Sequence, residues 1–303
     1  MRFNPKAQVD QSQYQDAGGS GGIGGGGMRL PIPMPGGGGG RIGMGTIIIL
    51  IIFFVLTQCL GGGGGTTTQQ QYQQQNQGAS QCRTGEDANN SDKCAVALFT
   101  TSVQDYWERT FPEQTNGEYT PIQTKTFTGG IQTGCGNASS QMGPFYCPND
   151  RTVYMDSTFF DDMLEGQLGA KGGPFSIGYV VAHEYGHYVE DLLGVLGRMR
   201  QQTGPDSDAV KVELMADCLG GMWAADAENT KDAQGNTIIE GLTKDDVRAA
   251  IDAAQAVGDD RIQQRTSGRV NPEQWTHGSA EQRMKAFMLG YEKQSLKACN
   301  FFG

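Results

Sequence analysis

His183-Glu184-Tyr185-Gly186-His187 reads H-E-x-x-H. The apolar residues around it predict a helix from about Phe175 to Leu193, closed by Gly194. Val180, Val181, Tyr188 and Leu192 supply its core contacts. Two histidines four residues apart project from one helix face, close enough to share a metal ion. Glu184 lies one step round the helix, where a carboxylate can take a proton from a water beside that metal. The chain has only 3 histidines, and two of them fall in this motif. Such a helix is the working core of a zinc peptidase, with His183 and His187 as metal ligands and Glu184 as the catalytic base.

A catalytic zinc needs a third protein ligand and one position left for water. Glu213-Leu214-Met215-Ala216-Asp217 offers E-x-x-x-D inside an apolar-periodic run from Ala209 to Ala225, predicting a second helix from Asp208 to about Glu228. Glu213 and Asp217 share a face of that helix, so Glu213 is the expected third ligand. Asp217 is placed to accept the free N–H of a ligand histidine and fix its tautomer. The small residues Ala216, Gly220 and Gly221 let another helix approach closely.

The remaining motifs are arranged around this pair. Ala95–Phe111 has apolar residues at helical spacing, and Tyr119–Gly130 reads as extended. Thr152–Asp156 follows the Pro148-Asn149-Asp150 turn as a short strand. Its position upstream of the motif helix makes it the expected sheet edge along which a peptide substrate would add as a strand. Ser157–Leu164 reads as a short helix. Thr243 caps a helix over Lys244–Val257, and Ser279 caps a final one through Met284, Phe287, Met288 and Tyr291. His277, the third histidine, precedes that last helix, with Arg283 six residues further on. Either could steady the oxyanion of a tetrahedral intermediate. Tyr185 and Tyr188 are further candidates near the metal helix.

The first 65 residues hold 20 of the 46 glycines. Asn4–Gly40 has no periodic apolar pattern, so residues 1–41 are expected to form a disordered tail. Residues 61–81 read as a Gly/Thr/Gln linker. Between them Ile42–Leu60, with ten unbroken large apolar residues over Ile47–Leu56, is 19 residues long and just sufficient to cross a bilayer. It has 41 residues before it and no A-x-A site, which favours an uncleaved anchor over a signal peptide. Arg29 and Arg41 precede it closely, and no Lys or Arg follows until Arg83. That bias places the N-terminus in the cytoplasm and residues 82–303 in the periplasm or outside the cell.

Six of the 7 cysteines follow the span, an even number that suggests disulfides in an exported domain. Six cysteines allow fifteen connectivities. Local spacing favours Cys82–Cys94 and Cys135–Cys147, which leaves Cys218–Cys299. None is in C-x-x-C spacing, so a structural zinc knuckle is not expected. The part beyond the span carries 19 basic and 31 acidic residues, which argues against nucleic acid as a partner.

The chain resembles the neutral zinc metallopeptidases of bacterial envelopes. The resemblance runs through Met1-Arg2 and the glycine tracts, the apolar stretch, Gly143-Pro144-Phe145-Tyr146-Cys147-Pro148, His183–His187, Glu213–Cys218 and Thr276-His277-Gly278. It implies His183, His187 and Glu213 as zinc ligands, Glu184 as the base, and a place among the gluzincins. Leu214-Met215 stands where Leu-Gln is more usual, beside the ligands and not in them. The expected architecture is α+β and mainly helical: a zincin-like domain with a small sheet over residues 82–303, preceded by one transmembrane helix. The expected activity is zinc-dependent endopeptidase action on a peptide or protein substrate. A non-catalytic metal-binding envelope scaffold is the alternative, though a purely structural zinc would need no base.

Overall fold

The computed structural model describes residues 1–19, 81–200 and 202–302. The expected span Ile42–Leu60, most of the expected linker and residues 20–41 of the expected tail lie outside them. Among the described residues no helix is long and apolar enough to cross a membrane.

The architecture is mixed α/β, about half helical, with small sheets. Strand β1 (Arg2–Phe3) and strand β2 (Tyr14–Gly19) come first, followed by helices α1 (Gly85–Asn89) and α2 (Asp92–Thr115). Strand β3 (Gln123–Thr128), the hairpin of β4 (Gly130–Thr133) and β5 (Gly136–Ser139), and strands β6 (Phe145–Cys147) and β7 (Thr152–Asp156) form the β part. A π-helical segment over Phe159–Gln167 leads into helix α3 (Pro174–Leu192). Helix α4 (Asp208–Asp226), strand β8 (Ile239–Glu240) and helices α5 (Lys244–Ala256), α6 (Asp259–Ser267) and α7 (Ala280–Lys293) complete the chain. Thr243 and Ser279 each close a capping box, with Asp246 and Gln282 respectively.

The main sheet runs β2-β3-β7-β6, with β2/β3 and β3/β7 parallel and β6/β7 antiparallel. This corrects the expectation for Thr152–Asp156. β7 is an interior strand, and among the described residues the free edge beside α3 belongs to β6. Three residues bounded by Pro144 and Pro148 are too short to show a period, but proline suits an edge, where no ladder partner needs its N–H.

The disordered-tail expectation is corrected for residues 1–19, which are built into the domain. β2 pairs with β3 from Tyr14↔Thr124 to Gly19↔Thr128, and β1 pairs antiparallel with β8. Phe3 is buried and meets the Phe99 ring edge-on at 4.7 Å. Phe99 in turn contacts Trp223, which stacks on Phe175. Ala7, Val9 and Tyr14 are also buried. Lys93 pairs with Asp16 at 2.7 Å. Burial of this kind offsets the ordering entropy that the glycine content alone left unopposed. Residues 1–19 therefore pack into the same folded unit as the later elements.

Three bridges are present: Cys82–Cys94, Cys135–Cys147 and Cys218–Cys299. The last joins α4 to the C-terminal segment. α4 packs between α3 and α7. A side chain at Gly186 would run into Ala216, and one at Gly221 into the backbone of Phe287. Glycine at both positions lets α3, α4 and α7 sit this close.

Candidate metal centre

α3 begins at Pro174, whose fixed φ suits the first helical turn, and buries Ile177, Val181, Tyr185 and Val189. That burial sets the rotation of the helix and turns His183 and His187 towards α4. Ser207 caps α4, its hydroxyl accepting the Val210 N–H at 3.2 Å, and Glu213 then faces both histidines. His183 Nε2 lies 3.3 Å from Glu213 Oε2, and His187 Nε2 lies 3.6 Å from Glu213 Oε1. One ligand atom from each of the three residues falls within 4.8 Å of the others. Donors about 2.0–2.2 Å from a tetrahedral zinc stand roughly 3.3–3.6 Å apart, so this set fits such an ion.

The far sides of both imidazoles are also fixed. His183 Nδ1 is 2.9 Å from Asp217 Oδ1, and His187 Nδ1 is 2.8 Å from Glu190 Oε2. With Nδ1–H donated to a carboxylate, each Nε2 presents its lone pair to the shared point, as a metal ligand must. Asp217 is held in turn. Tyr179 donates its hydroxyl at 2.6 Å, and the Arg283 guanidinium grips both carboxylate oxygens at 2.7 and 3.0 Å. Arg283 is fully buried in this role, so it acts on the metal site through Asp217.

The charges follow from this wiring. Burial alone would lower the His183 pKa, but hydrogen bonds to Asp217 and Glu213 carry it up to about 10. Burial works against ionised Glu213, yet the three histidines hold its carboxyl well below the usual range. Asp217 is likewise lowered, with Arg283 and His183 outweighing burial. The cluster therefore presents anionic carboxylates to a cation.

Glu184 is nine-tenths buried beside this cluster. Burial raises its pKa, with the charges of His183 and His187 pulling it back. His277 reaches the same cavity wall as Glu184, and Asp259 accepts its backbone N–H at 2.6 Å. Burial lowers the His277 pKa, but Glu213 and Asp259 raise it further. Tyr185 and Tyr188 instead serve the fold. They bond Thr124 Oγ1 at 2.9 Å and the Thr120 carbonyl at 2.7 Å.

The structure thus gathers His183, Glu184, His187, Glu213 and His277 around one cavity, with Asp217 and Arg283 behind them. Sequence reasoning missed Glu190 and Tyr179. Glu190 stands three residues after His187, on the same helix face, so its spacing was a usable signal. Tyr179 lies one turn before His183 and gave none apart from its position.

Two helices that carry H-E-x-x-H and E-x-x-x-D thus bring His183, His187 and Glu213 together as a group that could hold a metal ion. The comparisons place the chain more narrowly. The family model described as "Putative neutral zinc metallopeptidase" matches residues 1–302, and the chain belongs to that family. An uncharacterized protein of Mycobacterium tuberculosis (strain ATCC 25618 / H37Rv) is 49% identical over 225 residues, covering 74% of this chain and 75% of the relative. The uncharacterized protein YpfJ of Escherichia coli (strain K12) is 39% identical over 233 residues, covering 74% and 77%. No solved structure matches.

Proposed function

We propose that this chain is a zinc-dependent endopeptidase that works in an oxidising compartment of the cell envelope. The observation that carries the reading is Glu184. A buried carboxylate beside a His-His-Glu cluster has a use in hydrolysis and none in a closed structural site. Zinc held by His183, His187 and Glu213 would polarise a scissile carbonyl and lower the pKa of a water towards about 7. Glu184 takes the proton of the attacking water and passes it to the leaving amine. Burial favours this role, because a raised pKa brings a carboxylate closer to the range where it can both accept and release a proton. His277, tethered by Asp259, is the donor placed to steady the developing oxyanion. The free edge of β6 runs past Glu184 and offers an extended peptide a strand to pair with, which favours a peptide substrate over a small molecule. The compartment rests on the three disulfides, which persist where the surroundings are oxidising.

The test is zinc titration of the full chain together with a casein-cleavage assay. One zinc per chain and metal-dependent cleavage are expected, with zinc content falling sharply in His183→Ala. Full zinc in that variant, or no cleavage of any protein by the zinc-loaded chain, overturns the reading. The second result would leave a metal-binding scaffold.

A further inference from the structure

The cavity beside Glu184 is larger than a water and a carbonyl need. Its volume is about 180 Å³, above the ~150 Å³ of an apolar cavity that takes up benzene. Away from the metal cluster the wall is built largely of apolar side chains, among them Phe159, Met163, Leu168, Val180, Met199 and Ile262. They come from the π-helical segment and the turn after it, from α3, from the turn before α4, and from α6. Val180 stands one helical turn before Glu184 and shares its face, so the apolar wall is continuous with the base.

The charged groups on the wall are few and already committed. Beside the three histidines, the described residues contribute Glu184, Glu213 and Arg283. Glu213 faces His183 and His187, Arg283 is held by Asp217, and Glu184 lies in the field of His183 and His187. No charge is left to pair with a charged side chain entering here, and burying an unpaired charge is strongly unfavourable. An apolar side chain would lose its water contact at no such cost.

We propose that this wall is the specificity pocket of the enzyme. It takes a large apolar side chain, of the size of Phe, Leu or Met, from the residue adjoining the scissile bond, and it excludes Asp, Glu, Lys and Arg there. The inference rests on the endopeptidase reading and adds the substrate class to it.

The experiment uses the zinc-loaded full chain and a degenerate peptide mixture, with cleaved bonds identified by mass spectrometry. Cleavage should concentrate at bonds flanked on one side by Phe, Leu or Met. In single quenched peptides kcat/KM should fall about 10- to 100-fold when that residue becomes Gly, and further when it becomes Asp. Met163→Lys should erode the preference for Phe and admit acidic side chains with zinc content unchanged. Met163→Ala, a milder change, should weaken the preference for Met and Phe relative to smaller residues. Binding to Glu184→Gln by calorimetry separates the two claims. If that variant binds Phe peptides over Asp peptides while the wild type cleaves neither, the pocket stands and the peptidase reading falls. Cleavage at bonds without apolar neighbours, or a preference unmoved by both Met163 variants, overturns the pocket and leaves the peptidase reading intact. Failure of Glu184→Gln to distinguish Phe from Asp peptides also overturns it.

Discussion

Helices α3 and α4 and the N-terminal strands are both buried, yet they are specified in different ways. On α3 and α4 the chemistry is local. His183 and His187, and Glu213 and Asp217, are each four residues apart, so helix geometry alone puts each pair on one face. On β1 and β2 almost nothing is local. Tyr14-Gln15-Asp16-Ala17-Gly18-Gly19 does not alternate, and its order comes from pairing with β3, far along the chain. Local chemistry survives being read from sequence, whereas a segment ordered by distant partners reads as disordered.

The largest effect should come from the locally specified side. Glu184→Gln keeps the shape of the side chain but cannot take a proton. Activity should fall by on the order of 10²- to 10⁴-fold with zinc and fold retained. Peptide hydrolysis at the wild-type rate, measured on metal-replete protein, would remove Glu184 from the mechanism.

The distant-partner side is tested by Phe3→Ala. A buried Phe replaced by Ala costs about 3–5 kcal/mol, while the same change in a disordered tail costs almost nothing. Chemical denaturation decides between these. The same packing predicts that Lys6 and Glu273, both exposed, share one side of a membrane. Lys6→Cys and Glu273→Cys should therefore react alike with a membrane-impermeant thiol reagent on intact cells. Labelling of Glu273→Cys alone would support the expected single crossing and detach residues 1–19 from the domain.

The same contrast explains what could be read beforehand. Helices with caps and clear periods, such as Lys244–Ala256 and Ala280–Lys293, match their expected bounds closely. α6 did not stand out, because Ile262 is its only large aliphatic residue. The grouping of His183, His187 and Glu213 was legible because side-chain chemistry and helix period coincide there. The supporting shell was less so. Arg283 was noticed, but as an oxyanion partner, since nothing in its spacing shows that Asp217 would capture its guanidinium. The sheet edge was misplaced for a related reason. Thr152–Asp156 has the stronger β composition, and strong strand formers tend to lie inside a sheet.

The bridge between Cys218 and Cys299 joins the two kinds of region, tying the helix that carries Glu213 to a segment ordered late in the chain. It spans 81 residues, and its loss should cost about 2–4 kcal/mol. Replacing both cysteines with Ser should lower the melting temperature and weaken zinc retention. Alkylation of the oxidised protein should leave activity unchanged. An unaltered melting temperature would show that α7 alone holds α4 in place, and inhibition by alkylation would point to a catalytic thiol.

The smallest effect, and the sharpest for local specification, concerns Glu190. It is fully buried, and one oxygen meets His187 Nδ1 while the other has no hydrogen-bond partner. His183 has the Asp217 carboxylate, itself gripped by Tyr179 and Arg283, so its orientation is set by three side chains. His187 has Glu190 alone on its far side. Glu190→Ala should lower zinc affinity about 10- to 100-fold, read by competition with a chelator. Glu190→Gln should recover much of the loss, because its amide oxygen still accepts the Nδ1–H. A purely structural Glu190 would instead lower the melting temperature of metal-free protein and leave the zinc affinity of the folded chain unchanged. That result would mean α3 orients His187 without help from a carboxylate.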